Sequence, residues 1–313
     1  MINICLFRKW LCLSVFLTGL GVLSPHAQMA SQQAQMGQQS PPQRSREHSP
    51  IAISVLPSGL ISVLGSRGGL FLVNPANSQQ TQLKTSLGNF TPLDMTSARI
   101  GNEDFLFVTM YWAFSTQSSQ GNEGVIVQYS LQGQEVKKWT AIGHTFAGIA
   151  VDSARGTIYL GSPNNGDIST LNIGEQIPKT AVHVNGASLI GALALDADGQ
   201  RLFVVDLGSS NIYVVDLARR RSRLLASGLG EPAALSYDPS QHKLYIADAN
   251  RHRISQIAVN TPSARVSDFS AADLREPRGV AVAPDHTVWA ADFEAGTVVQ
   301  FSPAGKVLST MRP

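Results

Sequence analysis

The sequence predicts an all-β fold: a six-bladed β-propeller built from four-stranded antiparallel blades. An aromatic residue recurs at intervals of 44, 42 and 44 residues, at Tyr159, Phe203, Tyr245 and Trp289. Three positions after each aromatic comes a short polar residue: Ser162, Asp206, Asp248 or Asp292. An apolar residue six positions further on extends the pattern backwards, giving Phe71, Ile126, Ile168, Ile212, Ile254 and Val298. Repeats of this length are typical of propellers with one blade per repeat.

A second series marks the start of each unit and predicts the same number of blades. Its members are Pro50, Pro92, Phe146, Ile190, Pro232 and Pro277. Both series place six units within residues 49–313, which is the predicted propeller domain. The one long interval, 55 residues between Phe71 and Ile126, is explained by a longer loop over residues 112–124.

Each unit reads as four strands in sequence order. In the fifth unit, an apolar strand from Pro232 is followed by a turn at Asp238, a returning strand from Lys243 and a second turn at Asp248. Turn residues at this spacing favour antiparallel meanders. The first and last units each hold their own four strands, so we expect the ring to close by packing between blades one and six.

The N-terminus reads as a targeting segment. Arg8 and Lys9 precede an uncharged apolar run over residues 10–23, and small residues at Ala27 and Ala30 offer cleavage sites. We predict a cleaved signal peptide over residues 1–30, with an uncleaved anchor as the alternative. Residues 31–48 are rich in Gln, Ser and Pro, which predicts a disordered linker.

The positions of the cysteines and the net charge exclude some functions for the processed protein. Both cysteines, Cys5 and Cys12, lie in the signal segment, so the mature chain has no thiol for a disulfide or a metal. Without Arg8 and Lys9, the basic and acidic residues balance, which argues against a nucleic-acid partner. We predict a periplasmic or extracellular monomer with no stable membrane insertion after cleavage.

The later units resemble a known family. Residues 245–254 (YIADANRHRI) and 276–282 (EPRGVAV) are similar to NHL repeats, and residues 198–216 are similar to the related YVTN type. The resemblance covers units three to six and is weak over units one and two. It implies a six-bladed propeller, and many functions are compatible with that fold.

The repeated carboxylates have a structural and a functional interpretation. Asp206, Asp248 and Asp292 would form a ring of acids if they faced one site. A residue repeated once per blade is more often a turn residue, whose carboxylate accepts hydrogen bonds from loop amides. We favour the structural interpretation.

Enzymatic propellers provide a test of catalytic function. The gluconolactonase-like enzymes, which this chain resembles in fold, hold a metal ion with Glu, Asn and Asp side chains near the starts of their innermost strands. The residues just after the opening positions are Ile51, Leu93, Ala147, Gly191, Ala233 and Arg278. None is an oxygen or imidazole ligand, so we predict no metal, no cofactor and no catalytic residue at that level.

The residues around the opening positions are more polar and form the first group of binding candidates. Glu231 and Glu276 belong to adjacent units, and Arg275 and Arg278 flank the second. They form either a ligand-binding patch at one channel mouth or a solvated rim of weak ion pairs. His144 is a further candidate, although a lone histidine is more often structural.

The long second unit supplies the remaining candidates, Tyr111, Trp112 and Phe114. Insertions in repeat proteins tend to lie on the binding face, and exposed aromatics anchor partners or sugars. Alternatively, part of this cluster extends the second strand and covers the core between blades one and two.

These observations favour a non-enzymatic binding protein. We predict that a protein, peptide or carbohydrate binds on the face that carries the loops between second and third strands and the blade-to-blade connections. This face is called the loop face below. The alternative is a hydrolase on the same fold, similar to gluconolactonase or strictosidine synthase.

Overall fold

The computed structural model describes residues 49–85, 87–88, 90–113, 122–261, 264–270 and 274–313, with the backbone alone at residues 112, 113 and 122. The predicted signal segment and linker lie outside these residues, as does Phe114. Twenty-four strands in this part of the chain form six antiparallel sheets of four strands each. The predicted six-bladed all-β propeller is confirmed.

The strands follow one another along the chain, four to a blade. Blade one contains β1 (Pro50–Val55), β2 (Ile61–Gly65), β3 (Leu70–Asn74) and β4 (Gln79–Leu83), and blade two contains β5 (Thr91–Ile100), β6 (Glu103–Ala113), β7 (Asn122–Ser130) and β8 (Glu135–Ile142). Blade three contains β9 (Ile149–Asp152), β10 (Thr157–Gly161), β11 (Asp167–Asn172) and β12 (Lys179–His183), and blade four contains β13 (Ile190–Asp196), β14 (Arg201–Asp206), β15 (Asn211–Asp216) and β16 (Arg221–Ala226). Blade five contains β17 (Pro232–Asp238), β18 (Lys243–Asp248), β19 (Arg253–Ala258) and β20 (Val266–Asp268), and blade six contains β21 (Pro277–Val282), β22 (Val288–Asp292), β23 (Thr297–Phe301) and β24 (Val307–Met311).

The position of a strand within its blade explains its composition. Second strands such as β2 and β22 are buried along their whole length, because neighbouring blades cover both faces of the sheet. They are therefore continuous apolar runs of small and branched residues. Outer strands such as β4 are mostly exposed and polar.

The core is divided among the interfaces between blades. Six apolar clusters each join one blade to the next, including one between blades six and one that contains Ile53, Val63, Trp289 and Val298. The first strand of blade one contacts the first strand of blade six, and each sheet is made of four consecutive strands. Closure by packing between blades one and six is thus confirmed for the described residues.

Blade two differs from the other blades in the length of its strands. Its second strand, β6, continues to Ala113 and its third strand begins at Asn122, so the connecting loop is shorter than the sequence predicted. Tyr111 pairs with both Thr91 and Gly124 within this extended ladder. A Cβ atom at Gly124 would lie 2.6 Å from the carbonyl oxygen of His144, so the connection to blade three crosses this point at close range.

Helical structure contributes little to the described part of the chain. A single turn of 3-10 helix, Ala249–Arg251, lies between β18 and β19. Within the described residues, no helix has the length and apolar character needed to cross a membrane.

Candidate functional site

The strand-end carboxylates of blades four, five and six serve their own blades. Asp248 Oδ2 accepts a hydrogen bond from the Gly230 amide at 3.1 Å, and its Oδ1 accepts one from the Glu231 amide at 2.8 Å. Asp206 and Asp292 make the equivalent pairs of bonds to the segments that lead into β13 and β21. These carboxylates are buried and join the end of the second strand to the start of the first. The structural interpretation is correct for them.

The same contacts position the predicted rim residues of blades five and six. Asp292 holds the backbone of Arg275 and Glu276 through their amides, at 2.7 and 2.9 Å. Two residues further on, Arg278 donates its Nε to Glu276 Oε1 at 2.8 Å. The Arg278 guanidinium also lies over the Phe293 ring, 3.9 Å from its centroid. We call Glu231, Glu276, Arg278 and Phe293 the rim cluster.

Glu231 completes the rim cluster from the neighbouring blade. Burial raises the pKa of its carboxyl, the charge of Arg278 lowers that pKa, and the charges of Glu276 and Asp248 raise it again. The charge of the nearby Arg278 guanidinium therefore only partly offsets the cost of ionising the Glu231 carboxyl. A positively charged group placed at this rim would stabilise the ionised form.

Arg275 lies beside the rim cluster and is exposed. The structure therefore brings four of the predicted site residues together on the loop face of blades five and six: Glu231, Arg275, Glu276 and Arg278. The remaining candidates belong to blade two and to its connection with blade three.

Among the aromatic candidates of blade two, Tyr111 is the one whose side chain is described. Tyr111 is buried on β6, and burial raises the pKa of its hydroxyl. The alternative in which the aromatic cluster extends the second strand therefore holds for this residue. Trp112 lies on the same strand. His144 is exposed, and its ring stacks on Phe146 with centroids 6.1 Å apart.

The structure contains a site residue that the sequence analysis missed. The first strands of all six blades surround a cavity of about 240 Å³ at the centre of the ring, and Asp94 lines it. The equivalent residue in the other five blades is always alanine or glycine: Ala52, Gly148, Ala192, Ala234 and Gly279. Comparing the residue two positions after each opening residue would have shown this difference.

A local irregularity explains why the position was overlooked. The pairing between the first and second strands is bulged directly after the opening residue in five blades, between Pro92 and Asp94 for example. The extra residue of a bulge changes the direction of the side chains that follow. Asp94, rather than its predecessor Leu93, consequently lines the central cavity.

Asp94 connects two blades and has an unusual environment. Its Oδ1 accepts a hydrogen bond from the Met95 amide at 2.8 Å, and its Oδ2 accepts one from the Ile149 amide of blade three at 3.2 Å. Burial nevertheless raises the pKa of the carboxyl to about 7. The residue is half-buried and lines the cavity.

The described residues contain no group of three or more His, Cys, Asp or Glu side chains placed to hold a metal ion. The Asp94 carboxyl lines the central cavity, whereas no member of the rim cluster does, so the two are separate features.

Comparison with known proteins gives a partial family match. The model of the SMP-30/gluconolactonase/LRE-like region matches residues 179–312, which hold the outer strand of blade three and all of blades four to six. No curated protein matches the chain in sequence.

Many solved structures match this architecture, and three of them illustrate the similarity. A chain of the nidogen/laminin complex superposes with a TM-score of 0.63 at 18% identity, covering 85% of this chain and 93% of that one. Virginiamycin B lyase from Staphylococcus aureus gives a TM-score of 0.57 at 12% identity, covering 86% of each chain. A streptogramin B lyase gives 0.56 at 12% identity, covering 79% of this chain and 92% of that one. At these identities the similarity shows the fold alone.

Proposed function

We propose that this chain is an exported, non-enzymatic propeller, with repeats of the NHL and YVTN type, that binds a partner on its loop face. The observation that carries the proposal is the rim cluster. Glu276 and Phe293 hold the Arg278 guanidinium in place, and the half-buried Glu231 lies beside it. Side chains already fixed in position lose little conformational entropy on binding, so such a cluster is suited to recognition.

A protein is the partner class that we favour over a free peptide or a carbohydrate. The rim cluster combines charged groups of both signs with an aromatic ring, and interfaces between proteins are enriched in arginine and aromatic residues. The same architecture occurs in the nidogen/laminin complex, which is an assembly of proteins.

Site-specific photo-cross-linking in the producing cells tests the binding face. A photoreactive amino acid at position 275, exposed beside the rim cluster, should cross-link to one defined partner. The matched control places the same group at position 239, which is exposed in the turn between β17 and β18 on the opposite face. Equal cross-linking from both positions would refute a specific loop-face site. Arg278→Ala should then weaken the cross-linked partner's affinity about tenfold or more, as expected for a central interface arginine.

Export is part of the proposal and has its own measurement. Cleavage after Ala27 or Ala30 should give a mature N-terminus that mass spectrometry of the purified protein identifies. Recovery of Met1 in a membrane fraction would replace export by anchoring. Light scattering of the processed protein should give the mass of a monomer.

A hydrolase is the second candidate function, because the gluconolactonase-like region matches residues 179–312. Elemental analysis and a panel of lactones separate the two candidates. Stoichiometric calcium or zinc together with lactone hydrolysis would support the enzyme. Their absence, combined with cross-linking at position 275, would support the binding protein.

A further inference from the structure

The central cavity presents a carboxyl group to a space that has no positive charge of its own. Asp94 lines the cavity together with serine, threonine, tyrosine and apolar residues of various sizes. No lysine, arginine or histidine is among these lining residues. Ionising an enclosed carboxyl without a compensating charge is costly, and this explains its raised pKa.

The strands that pack against the strand of Asp94 carry few titratable groups. Strand β1 carries none, and β9 ends in Asp152, three residues after the Ile149 that donates to Asp94. Strand β6 has Glu103 and Asp104 near one end and Tyr111 near the other. The pKa of Asp94 is set by burial and by two backbone amides, and none of these side chains contributes to it.

The carboxylate also has unused capacity for hydrogen bonds. Each of its oxygens accepts one amide, from Met95 or from Ile149. An ionised carboxylate offers about four acceptor positions, so roughly two remain for a donor in the cavity. Elsewhere on the wall, the Ser54 and Ser97 hydroxyls are hydrogen-bonded to each other at 2.7 Å. Asp94 is therefore the strongest acceptor that the cavity offers.

The size and walls of the cavity limit what it can hold. A volume of about 240 Å³ corresponds to roughly eight water molecules at about 30 Å³ each. Ala52, Ala192 and Ala234 form an apolar wall at the level of Asp94. The space suits a ligand of a few heavy atoms that has a charged donor at one end and a short aliphatic chain at the other.

We propose that the central cavity binds a small primary amine in its ammonium form, with the N–H groups donating to the Asp94 carboxylate. Two of the three donors on the charged nitrogen fill the two remaining acceptor positions of Asp94, and the aliphatic part lies against the alanine wall. A divalent metal ion fits less well, because hard cations require several oxygen ligands and the cavity has a single carboxylate. The site is separate from the rim cluster and does not depend on the proposed partner.

Titration with propylammonium chloride, monitored by NMR of the Ile149 amide and the Asp94 carboxyl carbon, tests this site. At pH 8 the signals should shift and saturate at about millimolar concentrations, the range that the ligand-efficiency limit allows for four heavy atoms. Affinity should fall about tenfold or more at pH 5, because a carboxyl with a pKa of about 7 is then almost fully protonated.

Variants and matched salts make the test decisive. Asp94→Asn should abolish saturation, whereas Glu294→Gln, which removes an exposed carboxylate, should leave it unchanged. Should Asp94→Asn fail to fold, the wild-type protein at pH 5 provides the neutral carboxyl. Equal saturation by tetramethylammonium or sodium chloride would overturn the assignment to an amine. So would saturation in Asp94→Asn, or the absence of any saturable shift at pH 8.

Discussion

Blades two and five use a carboxylate in opposite ways. In blade five, Asp248 ends the second strand and binds two amides of the segment that enters its own first strand. Blade two has Met110 at that point of the ladder, opposite Pro92, and continues the pairing to Tyr111 and beyond. Its carboxylate, Asp94, is instead on the first strand, where it binds an amide of the next blade and lines the cavity.

This difference indicates which blade of a repeat protein can place a carboxylate in a binding site. In blades five and six, the carboxylate that serves its own blade has both oxygens committed to local amides. Once additional strand pairing replaces that connection, as in blade two, a carboxylate elsewhere in the blade is available for another role. The regular blades four to six are also the part that the family model matches.

The largest effect is expected from removing the connection in blade five. Asp248→Ala removes a buried carboxylate and leaves the partly buried Gly230 and Glu231 amides without their acceptor, and we expect the free energy of unfolding to fall by about 2–4 kcal/mol. The measurement is chemical unfolding at neutral pH.

The control for this change lies in the same blade. Asp268 pairs with Arg253, but its side chain is 63% exposed. Asp268→Ala should cost less than about 1 kcal/mol, as is usual for surface ion pairs. Equal losses in the two variants would mean that Asp248 does not hold the blade together.

An intermediate effect on the free energy of unfolding is expected from Asp94. Here the neutral carboxyl stabilises the fold, and ionisation of the group destabilises it. Because its folded pKa of about 7 lies above the ordinary value of 3.8 for an aspartate, the folded state binds the proton more tightly than the unfolded state does. Stability due to this group is therefore fully present below pH 4 and is lost as pH rises to about 7. We expect a loss of about 1–3 kcal/mol over this range, below the limit for a three-unit shift because the cavity admits water.

Asp94→Asn isolates this contribution, because asparagine does not titrate. The measurement compares the change in unfolding free energy between pH 4.5 and pH 8 in the two proteins, so a constant offset from altered hydrogen bonding cancels. If the wild-type protein and Asp94→Asn lost stability in parallel as pH rose, the carboxyl would not be buried as described.

The smallest effect on stability is expected from Arg278→Ala on the rim. Its pair with Glu276 is partly exposed, so the free energy of unfolding should change by less than about 1 kcal/mol. The pKa of Glu231 should nevertheless rise further, because the Arg278 charge lowers it in the native protein. NMR titration of the Glu231 carboxyl measures this change. Arg219→Ala, in the exposed turn between β15 and β16 on the opposite face, should leave the Glu231 titration unaltered.

Much of the rim cluster was predictable from residue order. Glu231 and Glu276 precede the opening prolines of adjacent units, and adjacent units must be neighbours in a closed ring. The contact between Arg278 and Phe293 was not predictable, because it joins the start of the first strand to the loop after the second. The length of β6 also escaped prediction, since an aromatic run is compatible with an exposed loop and with a buried strand.

The sequence by itself determined the number of blades, the order of their strands and the structural role of the repeated aspartates. It did so because each of these features recurs at a fixed interval, and recurrence is visible without coordinates. The orientation of single side chains on the first strands depended on the tertiary structure. A bulge of one residue after the opening position decides whether Leu93 or Asp94 lines the cavity. That bulge is a property of strand pairing, and the cavity itself exists only when six first strands meet around one axis.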